Sequence, residues 1–162
     1  MSHYSLRNRA VSSAIAACAL IGASAAHAQP AADTFVFTSK ANSQVLLGSD
    51  GTGTNPYSGA YFTGTTTGTM ADSSTISAKY TCISMTQPPS GKIFDLHMLC
   101  DATDSTGTYS AVMGCTIIDA ATANLSCIGG LYGKTGAYKG RGGTLTNHAL
   151  GDSATGTGQW FR

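Results

Sequence analysis

The chain has 162 residues, and setting aside the first 28 leaves about 134 to fold, the length of a single domain. Only 10% of residues are charged, against a typical ~25%; the acids are eight Asp with no Glu, and the nine Lys and Arg are scattered. This composition excludes a multidomain assembly, and it offers no basic cluster of the kind that grips nucleic acid through counterion release.

Taken in chain order, Arg7 and Arg9 open a positive start, Ala10 to Ala26 form an apolar Ala-rich stretch, and Ala26-His27-Ala28 is an A-x-A cleavage pattern before Gln29. Together they predict a signal peptide over residues 1–28 and a periplasmic or secreted mature protein. The apolar stretch is short for a bilayer span, so no membrane span is expected. Ile15-Ala16-Ala17-Cys18 has the form of a bacterial lipobox and gives the alternative, lipidation at Cys18. However, the apolar run continues beyond Cys18, which favours cleavage after Ala28.

No stretch longer than about ten residues carries apolar positions at helical spacing, and Gly, Thr and Ser punctuate the chain, a pattern that predicts an all-β domain over residues 29–162. Gln29 to Asp33 reads as a leader, Thr34 to Ser39 as a first strand, Ala41 to Leu47 as a helical turn or a strand, and Ser49 to Tyr57 as a loop. Ser58 to Met70 has two contrasting faces. One carries Ala60, Phe62, Gly64, Thr66, Gly68 and Met70, and the other a β-branched row of Thr63, Thr65, Thr67 and Thr69 beside Tyr61. Gly64 and Gly68, small on the inward face, are expected to leave space within a coiled sheet. Four more strands are predicted over Thr75 to Met85, Lys92 to Asp101, Thr108 to Ile118 and Asn124 to Tyr132, with a turn at Gln87-Pro88-Pro89-Ser90-Gly91.

Without Cys18, four cysteines remain, an even number in an exported chain, and two disulfides follow. Cys100 shares a face with Phe94, Leu96 and Met98; Cys115 with Tyr109, Ala111 and Met113; Cys127 with Leu125 and Leu131. Residues facing each other across a hairpin are equidistant from its turn. The midpoint of Cys82 and Cys100 falls at residue 91, in the Pro-Pro turn, and that of Cys115 and Cys127 at residue 121, within Asp119 to Ala123. These pairings are expected, while Cys100 with Cys115, centred between Gly107 and Thr108, stays open. With no C-x-x-C pair, no metal site is implied.

Residues 133–146, Gly-Lys-Thr-Gly-Ala-Tyr-Lys-Gly-Arg-Gly-Gly-Thr-Leu-Thr, resemble the G-x-T-G-x-Y-x-G-x-x-G segment of the allene oxide cyclase and dirigent-like barrels. The resemblance implies a single antiparallel β-barrel of about eight strands around an apolar cavity, with this segment as the turn between two late strands. Cyclases of that superfamily polarise their substrate with a Glu, which this chain lacks, and neither Asp95 nor Arg141 matches a dirigent motif. No catalytic residue is therefore carried over.

Other chemistry is sparse. Asp95 and His97 alternate with the apolar face and read as an acid/base pair, as two metal ligands or, most simply, as a solvated outer face. Gly140-Arg141-Gly142-Gly143 lacks the helix start a phosphate loop needs. Tyr80, Tyr109, Tyr132 and Tyr138 either line a cavity or pack the core and rim. The residues expected to line a ligand cavity are Phe62, Gly64, Gly68, Tyr80 and Tyr109, and the expected partner is a small apolar molecule, with no cofactor. Three classes of function remain: a binding module, a cyclase or isomerase, and a structural or adhesion protein of the cell surface.

Overall fold

The computed structural model describes residues 33–48, 57–87 and 92–161. The signal peptide, the Cys18 site, most of the leader and of the Ser49 to Tyr57 loop, and the Pro88 to Gly91 turn lie outside the described residues. Eight strands follow one another: β1 (Asp33–Leu47), β2 (Gly59–Met70), β3 (Thr75–Thr86), β4 (Leu96–Thr103), β5 (Thr108–Asp119), β6 (Asn124–Gly133), β7 (Gly142–Leu150) and β8 (Ser153–Trp160). Each pairs antiparallel with the next, and β8 returns to β1, from Asp33 opposite Trp160 to Lys40 opposite Ser153, closing the barrel. Closure leaves no unpaired edge.

Period-two alternation sets which residues face the lumen. On β2, Phe62, Gly64 and Thr66 point inward while Tyr61, Thr65, Thr67 and Thr69 are exposed, as the contrast between the two faces predicts. The segment Ala41 to Leu47 is strand, continuous with Thr34 to Ser39 in β1, but an extra residue, Asn42, is inserted between the Ala41–Gly64 and Ser43–Thr63 pairs. This bulge shifts the alternation, so Val45 points outward although Phe35, Phe37 and Ser39 point inward. A two-residue period broken in mid-strand explains why the segment is ambiguous in the sequence.

Two expectations are corrected. The strand predicted from Lys92 begins only at Leu96, because residues 92–95 fold across the outside of the sheet, with Asp95 N–H bonding the Cys115 carbonyl at 2.8 Å. Phe94 therefore does not share the inward face of Cys100; its ring lies on the outer face over Gly114, where a Cβ would collide with it. Nor do Gly64 and Gly68 leave open space. A side chain at Gly64 would run into the Tyr80 hydroxyl and the Lys40 carbonyl, and one at Gly68 into the Val36 carbonyl and Phe37.

The same device recurs around the barrel wall. The rings of Phe35 and Phe37 cover Gly158 and Gly156 on β8, Met113 covers Gly129, and Leu131 covers Gly143, each glycine being the cross-strand partner of the residue above it. Large side chains lie along the wall because the neighbouring strand has no side chain to resist them. The cross-strand disulfides Cys82–Cys100 and Cys115–Cys127 both form, on the expected pairing, with all four cysteines buried in the core.

Candidate functional site

The barrel encloses a cavity of about 720 Å³. Its wall is mainly aromatic, aliphatic and sulfur-bearing, with Phe35, Phe62, Leu96, Met98, Met113 and Leu131 among its lining. That size lies within the range of cavities that hold one small molecule.

One end is closed by rings. Tyr138 stacks on Trp160 with centroids 4.9 Å apart, and Tyr109 meets both edge-on at 5.1 and 5.5 Å. The Tyr138 ring reaches this position from the segment 133–141, which crosses the barrel end as the turn between β6 and β7. Gly133 permits the close approach of the Tyr138 carbonyl, and Gly136 takes a left-handed φ of 62° against the Thr106 carbonyl. The Tyr138 hydroxyl donates to Asp104 at 2.7 Å, tying the turn to the β4–β5 loop. Arg141 completes the closure from outside, 5.7 Å above the Trp160 ring and 2.5 Å from the Asp33 carboxylate. The barrel-fold segment that the sequence singles out is thus the floor of the cavity. At the opposite end the lining reaches Leu46, Ser58, Thr86, Ala123 and Asp152.

A few polar groups interrupt the apolar lining. The Tyr80 hydroxyl lies over Gly64, and burial, followed by the charge of Asp152, pushes its pKa up. Burial also raises Tyr109, to about 12, with the nearby Asp104 charge adding to the effect. Tyr138 is raised too, first by burial and then by its bond to Asp104. These phenols stay neutral at ordinary pH and can serve as hydrogen-bonding groups, not as bases. Asn147, on β7 between Cys127 and Gly156, points inward, and its Oδ1 is buried with no hydrogen-bond partner among the described residues. Among the described residues the one carboxylate in the lining is Asp152, 3.8 Å from Lys40.

Of the residues singled out in the sequence, Phe62, Tyr80 and Tyr109 line the cavity, with Phe62 and Tyr80 edge to face at 6.3 Å. Gly64 and Gly68 lie beneath Tyr80 and Phe37 and belong to the wall. Tyr132 is on the outer surface, 63% exposed. Asp95 and His97 do not meet: the Asp95 carboxylate takes a 2.5 Å bond from Lys92 and a 2.7 Å bond from the Ile117 amide, whereas His97 packs against the Phe94 ring. Among the described residues no three His, Cys, Asp or Glu side chains come together as metal ligands, and no helix is long and apolar enough to cross a membrane. Asn147 and Trp160 have no sequence signal beyond their alternation in the last two strands.

Compared with known proteins, the chain matches no family model and no curated protein, so the likeness of residues 133–146 to the allene oxide cyclase and dirigent-like barrels stays a resemblance.

Proposed function

We propose that this protein is an exported, disulfide-braced barrel that binds one small, largely apolar molecule in its lumen, with a polar end met by lumenal hydroxyl and amide groups such as Tyr80 and Asn147. The observation that carries the reading is the cavity of about 720 Å³, floored by three aromatic rings and walled by apolar side chains that lie flat over glycines. Apolar walls with a few placed polar groups are what small-molecule sites share. Export is supported by the two buried disulfides, which fit an oxidising compartment, and by the Arg7 to Ala28 signal pattern.

The test is a fluorescence titration of the mature protein with an uncharged apolar dye, N-phenyl-1-naphthylamine, beside an Ala149→Trp variant that places an indole at a part-exposed, cavity-lining position. One saturable site is expected in the parent, weakened at least tenfold in the variant at an unchanged melting temperature. A flat titration of folded parent protein, repeated with dyes of other shapes, would sink the proposal.

A further inference from the structure

The outer face of the barrel carries a second feature, independent of the lumen. Five outward residues on five consecutive strands stand directly opposite one another: Val45 opposite Tyr61, Tyr61 opposite Ile83, Ile83 opposite Leu99, and Leu99 opposite Val112. All five are 43–56% exposed. The next row towards the Leu47 end of β1 continues the pattern with Leu47, Gly59, Met85, His97 and Gly114 under the Phe94 ring, ending at Ile128. The row on the other side is polar: Ser43, Thr63, Thr81, Asp101 and Ser110. A two-row apolar belt with a sharp polar border therefore crosses β1 to β6.

We propose that this belt is the surface through which the chain binds a second copy of itself. The first argument is area. Eight of its side chains (Val45, Leu47, Tyr61, Ile83, Met85, Leu99, Val112 and Ile128) are between four-tenths and two-thirds exposed and together present roughly 800 Å², which is what each partner contributes to a stable interface. A soluble monomer rarely leaves so large a contiguous apolar patch in water. The second argument is charge: neither row contains Lys, Arg, Asp or Glu, and the charges flanking Phe94 at its edge, Lys92 and Asp95, neutralise each other, so the belt meets its own copy without a net like charge. Closure of the barrel removes strand addition as a route to assembly, leaving side-chain faces as the means of contact.

The test compares oligomeric state by sedimentation velocity, across the micromolar range, for the mature protein and for Ile83→Lys and Val112→Lys, each of which puts a charge at an exposed belt position without touching the lumen. Thr155→Lys, at an exposed position of the hydroxyl-rich face on β8, is the control. The parent and the control should self-associate equally, and each belt variant should weaken association at least tenfold while keeping the parent's far-ultraviolet spectrum and dye binding. A parent that stays monomeric at high micromolar concentration, or belt variants that associate as well as the control, would overturn the proposal. If the monomeric parent instead floats with phosphatidylcholine vesicles and Ile83→Lys does not, the belt faces lipid and the self-association proposal fails. Because both belt variants leave the cavity lining intact, failure here is distinguishable from failure of the lumen to bind.

Discussion

Asn147→Leu should make the protein more stable. Asn147 points into the lumen from the middle of β7, and its Oδ1 is buried without a partner among the described residues. An unsatisfied buried acceptor costs about 1–3 kcal/mol. Leucine has the same branching at Cγ, so the change exchanges a carbonyl oxygen and an amide nitrogen for two methyl groups in a pocket already walled by Phe37 and the Cys115–Cys127 bridge through the paired strands. Allowing for imperfect packing of the larger methyls, the net gain should be about 1–2 kcal/mol, or roughly 3–6 °C in Tm for a domain of this length. The assay is equilibrium urea unfolding with the disulfides intact, followed by circular dichroism and by Trp160 fluorescence, with the m-value checked for constancy. A variant less stable than the parent at the same m-value would refute the reasoning, since it would mean that the oxygen is satisfied in the folded protein. If the amide exists to meet a ligand, the stabilised variant should also bind ligands carrying a polar end less tightly than the parent while binding pure hydrocarbons as well or better.

Replacing both cysteines of one bridge by alanine should cost about 3 kcal/mol for either bridge, since the loops closed are short and similar, with sequence separations of 18 and 12 residues; urea midpoints of the two variants measure it. On the acid side, the bond from Lys92, then that from the Ile117 amide, holds Asp95 below the usual carboxylate pKa. Its folded pKa is depressed, so its contribution is present above about pH 4 and is lost as pH falls from there through the folded value; Asp95→Asn should flatten that limb of a stability–pH curve. On the alkaline side the sign reverses, because Tyr109 is raised to about 12 by burial: between about pH 10 and 12 the unfolded chain ionises this phenol and the folded chain does not. Stability should therefore fall through that window, and tyrosinate absorbance should show a group that titrates only as the barrel opens.

Much of this fold is legible in the sequence where a single local rule operates. The faces of β2 separate because a β-branched, solvent-facing row alternates with apolar and glycine positions, and the disulfide pairing follows from hairpin symmetry because each bridge joins directly opposed residues of adjacent strands. Reading fails where two strands must be known together. Gly64 looks like vacant space until its partner across the sheet is identified as Tyr80, whose hydroxyl occupies it. Phe94 looks like core because it keeps step with Leu96 and Met98, yet two backbone bonds of a loop, Gln87 N–H to the Asp95 carbonyl at 2.7 Å and Asp95 N–H to the Cys115 carbonyl at 2.8 Å, and a third from the Ile117 amide to the Asp95 carboxylate turn it outside. The candidate site is only half legible for the same reason. Phe62, Tyr80 and Tyr109 sit on strands whose alternation is clear, whereas the inward position of Asn147 depends on pairings with β6 and β8 that its own neighbours do not announce.

The seam between β1 and β8 joins the first described residue, Asp33, to Trp160, next to the last. Every other pairing in the barrel links strands consecutive in the chain, so this one contact carries the whole long-range loop-closure entropy, on the order of 4 kcal/mol for a loop of this length. A chain made from its N-terminus must hold β1, its longest strand, with one bare edge until the last strand exists. A rearranged gene that links residue 161 to residue 33 and begins at Asp152 would keep all eight pairings and move the seam to β7 and β8. The waiting strand would then be Ser-Ala-Thr-Gly-Thr-Gly-Gln-Trp, short and rich in threonine and glycine, in place of one bearing Phe35, Val36 and Phe37. The order in which the barrel is written, more than its finished shape, decides how much sticky edge the growing chain exposes.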